Sequence, residues 1–352
     1  MQSVAALHFQ KSLAGILLLT KPLAFGVTLL LAVVGVVFAI GAPFLLDFHA
    51  TLTGLKAAPP NLIVALAASA FISAAAKAGK QQLMQTALGL RIRLRRTLAI
   101  TFITDAAFLS SPFGAAGYGV NLGLLQRAGA SWTQATTVVS GDQALDLAFF
   151  AVAVPVSFIS CIGLLAGVMS PKSLQMVAAA FFTMLVLACV LWVGRRKLVA
   201  CTGGAMRRVG ITSRFPEKWR GFVINVRDEW RHLLSGSRWR LGALLLLTTT
   251  QWLLRYGALW FILLKQGYAL PPGFVVAVQA LVLHAALWTG IPAGGGGGDL
   301  GLAAAFGAWV PHAAVGAALI LWRFATLFCP LALGGVGMLA LTLARVRVNG
   351  RG

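Results

Sequence analysis

Charged side chains are scarce in this sequence. Asp, Glu, Lys and Arg together make up 11% of the 352 residues, whereas hydrophobic residues make up 59%. A soluble domain carries about a quarter charged residues, so a chain of this composition cannot cover a water-facing surface. The composition excludes an ordinary soluble protein. It predicts an all-α polytopic membrane protein, with residues 1–352 forming a single transmembrane domain.

Acidic residues are the scarcest charged group. The chain has eight Asp and Glu residues and 29 Lys and Arg residues, which gives a formal net charge of +21. The basic residues lie in short stretches between apolar runs, which is typical of loops that face anionic lipid head groups. Membrane lipids are therefore the expected partners, and nucleic acid is not. The four cysteines have neither metal-ligand nor Cys-x-x-Cys spacing, and no metal or cofactor is expected.

About six apolar runs are candidates for full membrane spans, which need about 20 apolar residues each. They are residues 23–46, 61–76, 133–168, 174–193, 241–264 and 313–343. Basic clusters follow the second span, beginning with Lys77 and Lys80, fill residues 195–240 and end the chain. Such clusters mark cytoplasmic segments. A multi-pass protein of a bacterial inner membrane with both termini cytoplasmic is expected.

Two further apolar segments are too short for full spans. Residues 97–111 and 273–291 each run into a proline and a group of glycines. The first would reach ~22 Å, less than the ~30 Å hydrocarbon core. The sidedness of the basic clusters requires residues 97–131 to return to the cytoplasmic side and residues 273–310 to return to the outside. Two re-entrant hairpins broken at proline and glycine are therefore predicted, lining a wet cavity.

The two breaks coincide when the second half of the chain is laid over the first with Pro292 on Pro112. Gly294 then falls on Gly114, and at the same distance after each proline comes a polar residue, Gln143 or Arg323. Three positions further on are Asp146 and Thr326. The opposite sidedness of the hairpins predicts an inverted repeat, as in many alternating-access carriers.

Repeat 1 would cover about residues 61–170 and repeat 2 about residues 241–345. The cytoplasmic basic linker 195–240 would join them. Within this linker, residues 215–239 resemble an amphipathic surface helix with tryptophans among basic residues. Interfacial docking of the linker is therefore expected.

Four acids are expected at membrane depth, where a charge costs ~2.5–3.5 kcal/mol and so pairs or faces a cavity. They are Asp105, Asp142, Asp146 and Asp299, with Arg127, Arg255 and Arg323 as candidate partners. A polar path between the hairpins is one interpretation, and structural ion pairs or snorkelling helix ends are the other. The residues expected to line a substrate or lipid path are Pro112, Gly114, Asp142, Gln143, Asp146, Pro292, Gly294, Gly295, Gly297, Asp299, Arg323 and Thr326.

Five consecutive glycines, residues 294–298, precede Asp299. Successive backbone N–H groups in such a run can form a nest for an anion. One hypothesis is a lipid phosphate held by these amides, with Arg323 as counter-charge. The other is a flexible turn or a tight helix crossing.

Asp142 and Asp146 stand one helical turn apart and so share one helix face. Intramembrane prenyltransferases hold Mg²⁺-diphosphate with such a pair, but they need a second acidic motif. The matching stretch from Arg323 to Thr326 has no acid. An enzyme is therefore a weak alternative, and no catalytic residue is predicted.

These residues resemble the lysylphosphatidylglycerol synthase transmembrane family, a flippase-like group, over roughly residues 20–345. The first block matches as Pro112-x-Gly114 followed by Asp142-Gln143-Ala-Leu-Asp146, where the family has an arginine at the glutamine. The second matches as Pro292-Ala-Gly294-Gly295-Gly-Gly297, then Arg323-x-x-Thr326. The family glutamate position holds Gly301, with Asp299 two positions earlier.

The resemblance implies movement of a lipid between the leaflets of the membrane. The chain ends after its last predicted span, so the synthetase domain of the family and its aminoacyl transfer to lipid are not expected here. Other members of the group are associated with hopanoid export, and the resemblance therefore leaves a lipid without phosphate open as the substrate. A secondary carrier for a small polar solute, built on the same inverted repeat, is the remaining alternative.

Overall fold

The computed structural model describes residues 22–168, 214–235 and 237–349, with isolated positions between 170 and 183. These residues form helices and connecting turns, without strands. The predicted span at residues 174–193 lies largely outside the described residues, as do Cys189 and Cys201. The predicted all-helical architecture is confirmed for the described part of the chain.

The helices before the gap are α1 (Pro22–Phe44), α2 (Phe48–Lys56), α3 (Pro60–Ala87), α4 (Leu94–Leu109), α5 (Ala115–Arg127) and α6 (Trp132–Val168). Those after it are α7 (Arg214–Leu234), α8 (Arg238–Lys265), α9 (Pro272–Leu287), α10 (Gly297–Phe306), α11 (His312–Arg323) and α12 (Cys329–Asn349). A π-helical turn, Phe324–Phe328, joins α11 to α12. Short 3₁₀ turns at Pro112–Gly114 and Pro292–Gly294 form the first and second breaks.

Three helices among the described residues are long and apolar enough to cross a membrane: α3, α6 over Trp132–Leu164, and the continuous segment His312–Leu343. A bent pair, Val33–Phe44 with Phe48–Lys56 at 97°, would make a fourth if it forms one span. Helix α8 covers the predicted span at 241–264 but is not among these, because a run of three threonines, Gln251 and Arg255 lowers its hydropathy. The helices support a membrane protein, while the count of six spans stays a prediction.

Helix α3 continues well beyond the predicted end of the second span. Pro60 stands at its first turn, where a missing N–H costs nothing, and the helix then runs unbroken to Ala87. Lys77 and Lys80 therefore lie within the helix, and Lys80 is fully buried. The predicted end of the second span at residue 76 is therefore wrong for this helix, and the cytoplasmic position of the two lysines stays a prediction. They were assigned to the cytoplasm because basic residues usually end a span.

Both predicted breaks are confirmed, and they share one backbone conformation. Phe113 has φ 54° and Gly114 φ 69°, while Ala293 has φ 55° and Gly294 φ 60°. Two successive residues in the left-handed region cannot continue a right-handed helix. The breaks also meet in space, since the ring of Phe113 lies next to Gly290, just before the second break.

The elements around the two breaks follow the same order. Helices α3 and α8 each have 28 residues, and α4 and α9, which lead into the breaks, each have 16. After each break comes a short helix and then a longer helical segment. A helix is found where the surface helix was predicted, but this helix, α7, ends at Leu234, so Trp239 belongs to α8 and is exposed. Docking of α7 at the membrane surface stays a prediction.

Two apolar cores lie on either side of a polar centre, and α3 contributes to both. Leu62 and Leu66 of α3 pack with residues of α8 to α11. Met84, later in α3, packs with residues of α4 to α8. Lys77 and Lys80 lie between these two sets along α3. The buried polar side chains around Lys77 and Lys80 are therefore enclosed by packed apolar layers.

Candidate functional site

Arg323 and Asp299 form a buried, two-point ion pair beside the second break. Arg323 Nε lies 2.7 Å from Asp299 Oδ1, and Arg323 Nη2 lies 2.9 Å from Oδ2. Asp299 also accepts the Gly296 N–H at 3.0 Å, which satisfies a free donor at the start of α10. The side chains of Arg323 and Asp299 are 4% and 0% exposed, respectively. The bidentate geometry fixes α10 to the end of α11.

The same arginine holds the second break. Arg323 Nη1 donates to the Ala293 carbonyl at 2.9 Å, and Nη2 lies 3.4 Å from the Gly294 carbonyl. Ala293 is the residue in the left-handed conformation. The guanidinium is thus engaged by the chain's own acceptors, and its charge is balanced by Asp299. The expectation that Arg323 is a free counter-charge for a lipid phosphate does not agree with this geometry.

The glycine run uses its backbone donors within the protein. The amides of Gly294, Gly295 and Gly297 donate to Ile291, Pro292 and Gly295 carbonyls, at 2.9–3.1 Å. A Cβ at Gly295 would lie 2.4 Å from the Gly35 carbonyl oxygen of α1. Of the two hypotheses for this run, the tight helix crossing matches the contacts. One amide of the run, that of Gly296, donates to Asp299, so this donor is also used within the protein.

Lys80 forms a second buried cluster, with Asp142 and Asp146. Its Nζ lies 2.6 Å from Asp142 Oδ1 and 2.7 Å from Asp146 Oδ1, and the lysine side chain is 0% exposed. The two acids face Lys80 together because they are one helical turn apart on α6. Trp252 of α8 donates its Nε1–H to Asp146 Oδ1 at 2.9 Å. We call Lys80, Asp142 and Asp146 the α3–α6 triad.

A ladder of polar side chains continues between α3 and α4. Lys77 Nζ lies 2.5 Å from Asp105 Oδ1. One turn further along α3, Gln81 accepts a hydrogen bond from Thr101 at 3.3 Å. One more turn along, Gln85 accepts from Thr97 at 2.8 Å. These rungs, spaced by one helical turn on both helices, lead from the centre of the molecule to the start of α4.

Gln143 stands where the resemblance predicts an arginine, and it does not hold the first break as Arg323 holds the second. Its Oε1 accepts a hydrogen bond from the Tyr118 hydroxyl at 3.1 Å. When Pro112 is aligned with Pro292, the position of Asp299 is taken by Gly119, so the acid of the ion pair is also missing. The first break is packed instead by Phe108, whose ring lies against Gly114 and stacks edge-on with Tyr118 at 5.8 Å.

A small cavity lies where α3, α4, α8 and the π-helical turn meet. Its volume is about 20 Å³, enough for about one water molecule. Its polar lining comes from Ser69, Ser73, Asp105, Arg255 and Thr326. Arg255 has no carboxylate within 4.0 Å among the described residues and lies 5.8 Å from the Trp252 ring centre.

The structure thus brings two groups of the predicted site residues together, while Pro112 and Gly114 form the first break and Gln143 contacts Tyr118 of the helix that follows it. Pro292, Gly294, Gly295, Gly297, Asp299 and Arg323 come together at the second break, and Asp142 and Asp146 come together on Lys80. Thr326 lies apart from both, lining the cavity, and its hydroxyl donates to the Trp322 carbonyl. Arg127 does not pair with an acid among the described residues; its carbonyl accepts from Arg96 at 2.6 Å.

Sequence reasoning missed Lys77 and Lys80 as the partners of three acids. The signal was present, since α3 has no helix breaker between Pro60 and Gly89 apart from Gly79, so its apolar run does not need to end at Ala76. In the described part of the chain, no group of three His, Cys, Asp or Glu side chains could hold a metal ion. Asp142 and Asp146, the pair that resembles a Mg²⁺-diphosphate motif, face an ammonium group instead.

Comparison with known proteins agrees with the resemblance seen in the sequence. The family model for the lysylphosphatidylglycerol synthase TM region matches residues 24–334. No curated protein matches the chain. The family match includes both breaks, the ion pair at the second and the α3–α6 triad. The chain therefore belongs to the family of lysylphosphatidylglycerol synthase transmembrane regions.

Proposed function

We propose that the protein moves a lipid from one leaflet of a bacterial inner membrane to the other. Family membership carries this proposal, because the family is named for the membrane region of a synthase whose product is a phospholipid. The α3–α6 triad and the Arg323–Asp299 pair support it, since buried ionisable groups inside a membrane bundle mark substrate or ion pathways. The substrates and partners of the protein are accordingly membrane lipids.

The two halves would form an inverted repeat whose hairpins meet at mid-membrane. The equal lengths of α3 and α8 and of α4 and α9, and the shared conformation of the breaks, support a repeat. Non-helical backbone at membrane depth is tolerated where protein or a water-filled cavity covers it. The head group would pass beside the breaks while its acyl chains stay in the bilayer. The break residues Pro112, Gly114, Pro292 and Gly294 would shape this path.

Arg323 would contribute to this path by fixing the backbone conformation of the second break. Its contacts to Asp299 and to the Ala293 carbonyl support a positioning role. Gln143 makes no such clamp at the first break among the described residues, since its side chain accepts a hydrogen bond from the Tyr118 hydroxyl. The two breaks would therefore differ in rigidity, and the first would be the one that moves.

Lipid transfer in liposomes tests the proposal. We expect Arg323→Ala to abolish most transfer of a fluorescent phospholipid between leaflets, because Asp299 and the Ala293 carbonyl lose their shared donor. Arg227→Ala is the matched control, since Arg227 is a surface arginine with a 57% exposed side chain, and its transfer should equal wild type. Both variants are first checked for monodispersity and thermal unfolding. Unchanged transfer by a folded Arg323→Ala protein would remove the second break from the mechanism.

A further inference from the structure

We propose that the α3–α6 triad binds one exchangeable proton, carried between Asp142 and Asp146, and that this proton couples lipid movement to the proton gradient. The coupling rests on the proposed function, whereas the proton site does not. One ammonium group faces two carboxylates at 2.6 and 2.7 Å. The triad therefore carries one negative charge in excess while both acids are ionised. Burial of an uncompensated charge is costly, and binding of a proton removes it.

The two carboxylates are not equivalent. Asp146 accepts hydrogen bonds from both Lys80 and Trp252. The buried Oδ1 of Asp142 accepts none from the described residues, because Lys80 Nζ is close but poorly aligned for a hydrogen bond. Hydrogen bonds to the ionised form favour ionisation. The two carboxylates therefore share the proton and the single ammonium group of Lys80 in different hydrogen-bond environments.

The proton step involves no other chemistry. A proton from the solvent joins one carboxylate of the triad to form a neutral carboxylic acid, and Lys80 stays an ammonium ion. The charge of the triad changes from −1 to 0. Release reverses the step, so one turnover can carry one proton.

The polar ladder between α3 and α4 starts at Lys77, three residues before Lys80, and would line the route of this proton. Its rungs join Lys77 to Asp105, Gln81 to Thr101 and Gln85 to Thr97. The Nε2 groups of Gln81 and Gln85 are buried and have no acceptor among the described residues, so each keeps a spare donor along this line. The ladder ends at the start of α4, where Arg95 and Arg96 are exposed.

The helices packed against the triad carry other charged and titratable groups. They are Lys77 on α3, Asp105 on α4, Tyr118 on α5, Asp228, Glu229 and His232 on α7, Arg255 and Tyr256 on α8, and His284 on α9. Lys77 is engaged by Asp105. Arg255 packs against the Trp252 ring, whose N–H contacts Asp146. None of these cations makes an ion pair with Asp142 or Asp146 in the described structure.

Infrared spectroscopy of the protein in proteoliposomes tests the proton site directly, as the carbonyl stretch of a protonated carboxyl followed over a pH series. We expect a titrating band in wild type. The band should disappear in both Asp142→Asn and Asp146→Asn, because either change leaves Lys80 with a single carboxylate and no excess charge. Asp228→Asn is the control, since Asp228 is a 55% exposed surface acid, and it should keep the band.

Lipid transfer with and without an imposed pH gradient tests the coupling. Wild type should transfer lipid faster under the gradient, and Asp142→Asn should transfer at one rate in both conditions. A titrating band with no lipid transfer at all would overturn the proposed function while the proton site stands. Transfer in wild type without a titrating band, or a band that survives in both triad variants and is lost in Asp105→Asn, would overturn the proton site.

Discussion

At the scale of single residues, Lys80 determines whether the centre of the molecule is stable. It is the only ion-pair partner of Asp142 and Asp146 among the described residues, and it is fully buried. Removal of one partner from a buried ion pair typically costs about 3–5 kcal/mol, because the remaining charge stays buried without compensation. Loss of the Lys80 ammonium group should therefore lower the stability of the triad more than loss of one of its two carboxylates.

We therefore expect Lys80→Met to lower the free energy of unfolding by about 3–5 kcal/mol. Addition of Asp142→Asn to Lys80→Met should restore part of that loss, since one uncompensated carboxylate is removed. Lys265→Met, at an exposed position at the end of α8, should change stability little. Denaturant unfolding in detergent micelles measures all three. Equal losses for Lys80→Met and for the double variant would show that the triad is not electrostatically coupled.

Individual residues also show which parts of the candidate site the sequence predicted and which it did not. Only eight acids are present, so those at membrane depth could be identified individually. Their partners could not, because Lys80 and Asp142 are far apart in the chain and the helix of Lys80 was expected to end before it. Arg323 was identified as important, but its pairing with Asp299 became visible only through the fold of the second break.

At the scale of elements, the two breaks determine where helices stop and what can move. Proline and glycine predicted both positions, because each limits helix continuation in a known way. The left-handed φ values of Phe113 and Ala293 were not predictable from residue type, since L-residues pay roughly 1–2 kcal/mol for that conformation. Only the surrounding packing, with Phe108 at the first break and Arg323 at the second, selects it.

Gly114→Ala tests the first break, with Gly119→Ala in the helix that follows as its control. Gly114 has φ +69° and a Cβ there would lie 2.4 Å from the Phe108 ring, whereas a Cβ at Gly119 meets no atom within 4 Å. We expect Gly114→Ala to destabilise the protein by about 1–2 kcal/mol or more from the backbone alone. Gly119→Ala should stabilise it by about 0.5–1 kcal/mol, since alanine favours the helix interior. Thermal unfolding measures both.

A stable Gly114→Ala protein would mean that Phe108 moves and that the backbone of the first break is adjustable. Lipid transfer by the two variants then adds a second criterion. Gly114→Ala should slow transfer even under conditions where both variants remain folded, while Gly119→Ala should not. Equal transfer rates for Gly114→Ala and Gly119→Ala would show that the transport step does not depend on the shape of the first break.

At the scale of the whole molecule, the relative orientation of the halves decides whether the breaks can serve alternating access. Helices α4 and α9 have 16 residues each, or ~24 Å at about 1.5 Å per residue, so neither crosses a ~30 Å core unaided. In the proposed re-entrant arrangement, each hairpin returns to the side from which it entered. An inverted repeat then places the turn after α5 and the turn after α10 on opposite faces.

Single cysteines at Ser131 and Ala308, both exposed in these turns, test this orientation in a chain whose native cysteines are replaced. We expect a membrane-impermeant maleimide to label Ser131→Cys only from the cytoplasmic side and Ala308→Cys only from the opposite side. Right-side-out and inside-out vesicles provide the two conditions, and a cysteine replacing Arg227 is the reference for the basic linker, which is expected on the cytoplasmic face. Labelling of both turns from one side would make the hairpins parallel. The two breaks would then open to the same face, and the contact between Phe113 and Gly290 could not serve as the meeting point of two opposed entrances.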